Sequence, residues 1–196
     1  MNIEDPAAPV TSLRHQLLIA MPQLDDPNFH QTVTWLFEHN ADGAMGVIIN
    51  RPIDVTMDEL LDQLDLGPAQ GDLSRHHVLY GGPVQATRGF VLHRTSESMP
   101  RWDHCVQFPA GFTLATSRDV LQAIAAGTGP GETLVALGFA GWSPGQLERE
   151  LAENAWLAAP ADLDILFDLP FEQRWSAAAR RIGVDISLIS HETGHA

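Results

Sequence analysis

Apolar residues in this chain come in short alternating runs that double back across turns, and lone helical segments interrupt them. That pattern constrains the fold most, because hairpins build antiparallel sheet whereas repeated strand–helix–strand units build parallel sheet. Residues 31–39 alternate, with Val33, Trp35 and Phe37 on one face and Thr34, Leu36 and Glu38 on the other. Residues 40–43 (NADG) supply turn chemistry and residues 44–50 (AMGVIIN) return, which predicts a hairpin. Residues 16–21 (QLLIAM) read as a buried strand ended by Pro22. Residues 77–80 and 88–94 read as two strands joined by a tight turn at Gly81-Gly82-Pro83. Further strands are expected at 105–108, 112–116, 133–139, 155–158 and 164–167.

The helices announce themselves by their caps. Thr56 with Glu59 three residues later is a capping box, and Val55 and Leu60 are placed as a hydrophobic staple. Leu60, Leu61 and Leu64 line the buried side until Gly67-Pro68 stops the helix. Thr116 or Ser117 opens a second helix carrying Val120, Leu121 and Ile124. A last one runs from near Pro170 to Gly183. The expected fold is α+β, with a mixed, largely antiparallel sheet. At 196 residues the chain is expected to be one domain over 12–190, with tails at 1–11 and 191–196.

Residues 141–145 (GWSPG) match G-x-S-x-G, the nucleophile elbow of serine hydrolases. The chemistry fits poorly. The N–H of the residue after the nucleophile builds half of the oxyanion hole, and Pro144 has none to give. The same residues suit a helix start: Ser143 as N-cap, Pro144 at N1, Gln146 closing an S-x-x-Q box, and Trp142 with Leu147 as staple. Leu147, Leu151 and Ala155 then form one apolar stripe, with Glu148, Arg149, Glu150 and Glu153 on other faces.

Composition narrows the function. Formal net charge is −14 and all 11 basic residues are arginine. The absence of lysine removes Walker-A phosphate binding, Schiff bases and any lysine general base. Phosphate backbones repel so acidic a chain, and its densest basic cluster (Arg174, Arg180, Arg181) is small. Nucleic acid is therefore an unlikely partner on charge alone. The single cysteine, Cys105, cannot close an intramolecular disulfide and is expected to be a reduced structural thiol. Residues 1–11 lack a basic signal-type region, and residues 17–21 are too short an apolar run to span a membrane, so a cytoplasmic location is expected.

No metal site or cofactor is expected. His76, His77, His93 and His104 lack ligand spacing, and neighbours on a strand face opposite ways. The hairpin edge is the better candidate for ligand or partner binding. Glu38 and His39 precede the turn, while Asn50 and Arg51 follow the returning strand, where Arg51 could grip a carboxylate or phosphate.

Several segments together resemble the YqgE/AlgH family, also known as the uncharacterised family UPF0301. They are LLIAMP (17–22), EHNADGAMGVIINRP (38–52), YGGPV (80–84), RGFVLH (88–93), LGFAGWSPGQLERE (137–150) and GHA (194–196). Phe139 stands where the family usually has Tyr, and Ser143 where it more often has Gly or Ala, which speaks against a serine nucleophile. The resemblance implies a mixed sheet curled into a pseudo-barrel with flanking helices. It implies a regulatory association but no catalytic residues. The leading expectation is a non-enzymatic cytoplasmic regulator that binds a protein partner or small molecule. One alternative is a hydrolase using Ser143 with Asp164 or Asp168 and His191 or His195, and another is a direct DNA-binding regulator.

Overall fold

The computed structural model describes residues 12–96 and 100–189. Strands β1 (Gln16–Ala20), β2 (Val33–Asn40) and β3 (Gly43–Ile48) form an antiparallel meander. The expected hairpin is β2–β3, its turn closed where Asn40 Oδ1 accepts the Asp42 N–H at 2.7 Å. A register shift between Leu36 and Glu38 bulges β2. Both of its faces are covered, since Trp35 and Leu36 are each fully buried in different clusters.

The chain continues through β4 (Pro52–Thr56), α1 (Met57–Gln63), β5 (His77–Tyr80), β6 (Val84–Arg94), β7 (Cys105–Phe108) and β8 (Phe112–Ala115). It ends with α2 (Arg118–Ala125), β9 (Thr133–Trp142), α3 (Gln146–Ala152), β10 (Trp156–Pro160), α4 (Phe171–Arg181) and α5 (Ile186–Ile189). The sheet order is β10-β1-β2-β3-β9-β6-β8-β7, with β5 joined parallel to β9 and β4 paired to β5. The fold is α+β, and the sheet is mixed and largely antiparallel. It curls: Trp35 on β2 meets Phe108 and Phe112 near the far end, with ring centroids 4.9 and 5.0 Å away. Ala178, Ala179 and Ile186 from α4 and α5 complete that interior. Helices α1 and α2 cover the outer face at Val78, Val91 and Val135.

Helix α1 starts as its sequence dictates. Thr56 Oγ1 accepts the Glu59 N–H and the Glu59 carboxylate accepts the Thr56 N–H, so both arms of the box form. Two expectations need correction, and one strand was missed. Residues 80–84 are not a hairpin turn, because β5 and β6 both pair with Leu137, on opposite edges of β9. The chain steps across β9 at Gly81-Gly82, where a Cβ would sit 2.2 Å from the Gly138 carbonyl oxygen or the Phe139 carbonyl carbon. Residues 164–167 are not a strand but part of a π-helical turn, Asp164–Asp168. Asp162 Oδ1 accepts the N–H groups of Asp164 and Ile165 and caps that turn, which buries two consecutive residues, Ile165 and Leu166. Strand β4 was not expected. It is short, opens with proline and alternates weakly, as outlying strands do.

Candidate functional site

An open hollow of about 470 Å³ forms beside the β2–β3 turn. The pairs Ala44–Trp142 and Met45–Gly141 lay the end of β9 along β3, and Val84 reaches Phe139 from the other side. Gly43 is essential to this approach: its φ is +122°, and a Cβ there would lie 2.1 Å from the Trp142 carbonyl oxygen. Met45 and Val84 are each 37% exposed among apolar lining, and Glu38 and Asp42 stand at the rim. Residues from three segments that carry the family resemblance (38–52, 80–84 and 137–150) meet here.

Ser143 also lines the hollow, but not as expected. Helix α3 begins at Gln146, with Gly145 as N-cap in the left-handed region at φ 70° and no side-chain cap. The Ser143 carbonyl, not its hydroxyl, accepts the Gln146 N–H at 3.0 Å. Only the reverse arm of the box exists: Gln146 Oε1 accepts the Ser143 N–H at 3.0 Å. Proline at 144 followed by a left-handed glycine closes a turn before the helix, which draws the hydroxyl away from the helix amides. That hydroxyl makes no hydrogen bond among the described residues. Trp142 and Leu147 are buried in one cluster, but with Gly145 as N-cap they no longer hold the N′ and N4 positions of a staple. Glu150, placed by the sequence only off the apolar stripe, is the anchor. Its Oε2 accepts both indole N–H groups, Trp142 at 2.9 Å and Trp156 at 2.8 Å, while Oε1 accepts Gln146 at 2.9 Å. No spacing rule flags an acid whose partners lie eight residues before it and six after.

The predicted hairpin-edge residues are largely committed to the fold. His39 is 4% exposed. Its Nδ1 accepts the Leu13 N–H at 2.8 Å, which fixes the tautomer that donates from Nε2 to Glu148 at 2.9 Å. A backbone hydrogen bond holds the Glu148 carboxyl below its ordinary pKa, burial opposes that shift, and the His39 bond lowers it further. Asn50 Oδ1 accepts the Val33 N–H and its amide donates to the Gln31 carbonyl. Arg51 donates to the carbonyls of Pro27, Asn28 and His30 and lies 6.0 Å from the Tyr80 ring centroid. Asn50 and Arg51 thus pin the loop before β2. Of the four, Glu38 faces the hollow, bonded to Asn40 and 3.8 Å from Arg14.

Other sites resolve similarly. The Arg174, Arg180 and Arg181 cluster is not one basic face, because Arg174 is 2% exposed while Arg180 and Arg181 are exposed, with Arg181 paired to Asp162. Asp168 pairs with Arg94, and His191 and His195 lie outside the described residues. Cys105 is half-buried on β7. His93 accepts the Trp102 indole N–H at 3.0 Å and donates to the Arg94 carbonyl at 2.8 Å, and burial lowers its pKa. Among the described residues no three His, Cys, Asp or Glu side chains gather to hold a metal. No described helix is long and apolar enough to cross a membrane. A second cleft, of about 390 Å³, opens between α1 and α2.

Comparison with known proteins places this architecture. The AlgH-like family model, DUF179, matches residues 17–187. The UPF0301 protein AlgH of Pseudomonas aeruginosa is 52% identical, over 95% of this chain and 97% of its own. A UPF0301 protein of Nitrosococcus oceani is 51% identical over 93% and 96%. The solution structure of Pseudomonas aeruginosa AlgH superposes with a TM-score of 0.76 at 49% identity, covering all of both chains. A crystal structure from Corynebacterium diphtheriae shares the fold alone, with a TM-score of 0.71 at 20% identity over 97% and 94%. The chain belongs to the AlgH-like family of UPF0301 proteins.

Proposed function

We propose that this protein is a non-enzymatic, cytoplasmic regulatory protein that works by binding a protein partner in the hollow beside the β2–β3 turn. One observation carries the reading: Met45 and Val84 are exposed on an apolar floor whose rim bears Glu38 and Asp42. Contiguous apolar surface with a polar rim is how interaction sites look. The acidic rim suits a segment that presents an apolar side chain next to arginine or lysine. Affinity capture from the native host with wild type and with the Met45→Ser, Val84→Ser double variant tests this. Specific partners should be lost from the variant alone, and identical captured sets would defeat the proposal.

The hydrolase alternative draws on the exposed, unbonded Ser143 hydroxyl. Against it stand the missing amide of Pro144 and the engagement of His39 with Leu13 and Glu148. A fluorophosphonate probe should leave Ser143 unlabelled. Direct DNA binding is disfavoured by the net charge and by the burial of Arg174.

A further inference from the structure

We propose that the cleft between α1 and α2 binds a small amphipathic carboxylate, its apolar body seated on β6 and β9 and its carboxylate on Arg118. This cleft shares no lining residue with the hollow of Met45 and Val84, so the two proposals stand or fall apart. Its volume of about 390 Å³ falls within the range of small-molecule pockets. Val91, Val135 and Leu137 form the floor, and Leu60, Leu64 and Leu121 form the walls.

The cleft reaches the backbone of the sheet. At Gly89 on β6, a Cβ would meet nothing within 4 Å, and its φ lies outside the left-handed region. A larger residue would fit there without strain, yet the space is left open. The register of β6 on β9 jumps between Val84 and Gly89, so the intervening residues, including Ala86 and Thr87, bulge out and raise one side of the cleft.

Charge selects the ligand. Arg118 is the one ionisable residue among those lining the cleft, in a chain with 25 acids against 11 basic residues. Its guanidinium donates to the Leu64 carbonyl and forms no ion pair among the described residues. The adjacent Asp119 is engaged elsewhere, accepting from the Ser117 hydroxyl and from the N–H groups of Asp103 and Val120. Arginine carries five N–H donors in a fork matched to carboxylate geometry, so most of its capacity is unused. A cation at the mouth of an apolar cleft favours an anion with a hydrophobic body. A cationic amphiphile of the same length would be repelled, and a neutral one would lack the charged bond.

Amide NMR titration with decanoate, decanol and decylammonium, each below its micelle concentration, tests this. Decanoate should shift the signals of Gly89, Leu121 and Leu137 saturably, and decanol should bind about tenfold more weakly for want of one charge-assisted pair. Arg118→Gln should bring decanoate down to the level of decanol, and Arg118→Lys should recover part of the difference. Gly89→Trp, blocking the cleft, should abolish both, and Gly89→Val should weaken both if the tryptophan variant does not fold. The Met45→Ser, Val84→Ser variant should bind decanoate normally. The proposal is overturned if decanoate gives no saturable shift, if decylammonium binds as tightly, if Arg118→Gln has no effect, or if the filled cleft still binds.

Discussion

Arg174 offers a test of how α4 is fixed to the sheet. Its Nε–H donates to the Leu169 carbonyl at 3.0 Å and its Nη1–H to the Ile49 carbonyl at 2.6 Å, with the guanidinium 4.5 Å from the Phe171 ring centroid. Burial pushes its pKa down to about 10, against a smaller opposing pull from Asp168. Two hydrogen bonds from a charged donor contribute about 3–6 kcal/mol together. The buried charge withdraws roughly 3 kcal/mol, at about 1.4 per pKa unit. Arg174→Met removes both terms, for a net loss of about 0–3 kcal/mol. Arg174→Lys keeps a buried charge, but one ammonium cannot replace a fork that bonds two separate carbonyls from two nitrogens. The lysine variant should therefore lose more, about 3–5 kcal/mol. Urea unfolding followed by tryptophan fluorescence measures both, provided the m-value is unchanged. A lysine variant within about 0.5 kcal/mol of wild type, or one more stable than the methionine variant, refutes the reasoning.

Three further outcomes are expected. Ser143→Ala should change stability by only a few tenths of a kcal/mol, while Gln146→Ala, which strips the acceptor from the Ser143 N–H, should cost about 1 kcal/mol in thermal melts; a loss of that size from Ser143→Ala would restore the hydroxyl cap. Burial lowers the pKa of both His93 and His15 below 6.5. Above that pH neither state is protonated there, but as pH falls through it the unfolded chain takes protons first, so stability drops. Melting temperature should decline from about pH 7.5 to about pH 5.5, and the His15→Asn, His93→Asn variant should flatten the decline. Asn suits the positive φ of residue 15. Gly82→Ala should cost more than about 3 kcal/mol because its Cβ would collide with β9 backbone, whereas Gly89→Ala should stay within about 0.5 kcal/mol. Equal melts for the two would contradict the crossing.

Local order was readable in several places where a short-range bond decides it. The Thr56–Glu59 box, the NADG turn and the α4 boundaries depend on residues within a few positions of one another. The crossing at Gly81-Gly82 was misread because a glycine pair suits a tight turn as well as a close passage, and only β9, more than 50 residues later, distinguishes them. The same limit applies to the site. Asn50 and Arg51 look like ligand-binding types, but their partners are carbonyls of the loop before β2 and the first amide of β2, about 20 residues away. Glu38 was visible as part of the hollow, whereas Met45 and Val84 were not, since exposed apolar side chains carry no local signature. At Ser143 the residue types were right for a capping box, and the left-handed turn at Gly145 redirected which atoms bond.

Strand β9 has neighbours on both edges, β3 and β5 on one side and β6 on the other, and Gly81-Gly82 lies across its middle. All of those neighbours precede it in the chain. A nascent polypeptide leaving the ribosome therefore carries β1 to β8 with the centre of the sheet missing, and their unpaired edges must wait until residues 133–142 emerge. Completion of the sheet is therefore expected to be a late insertion rather than a progressive growth from the N-terminus. A stall before residue 133 would strand an aggregation-prone chain, and chaperone demand should peak just before that point in synthesis.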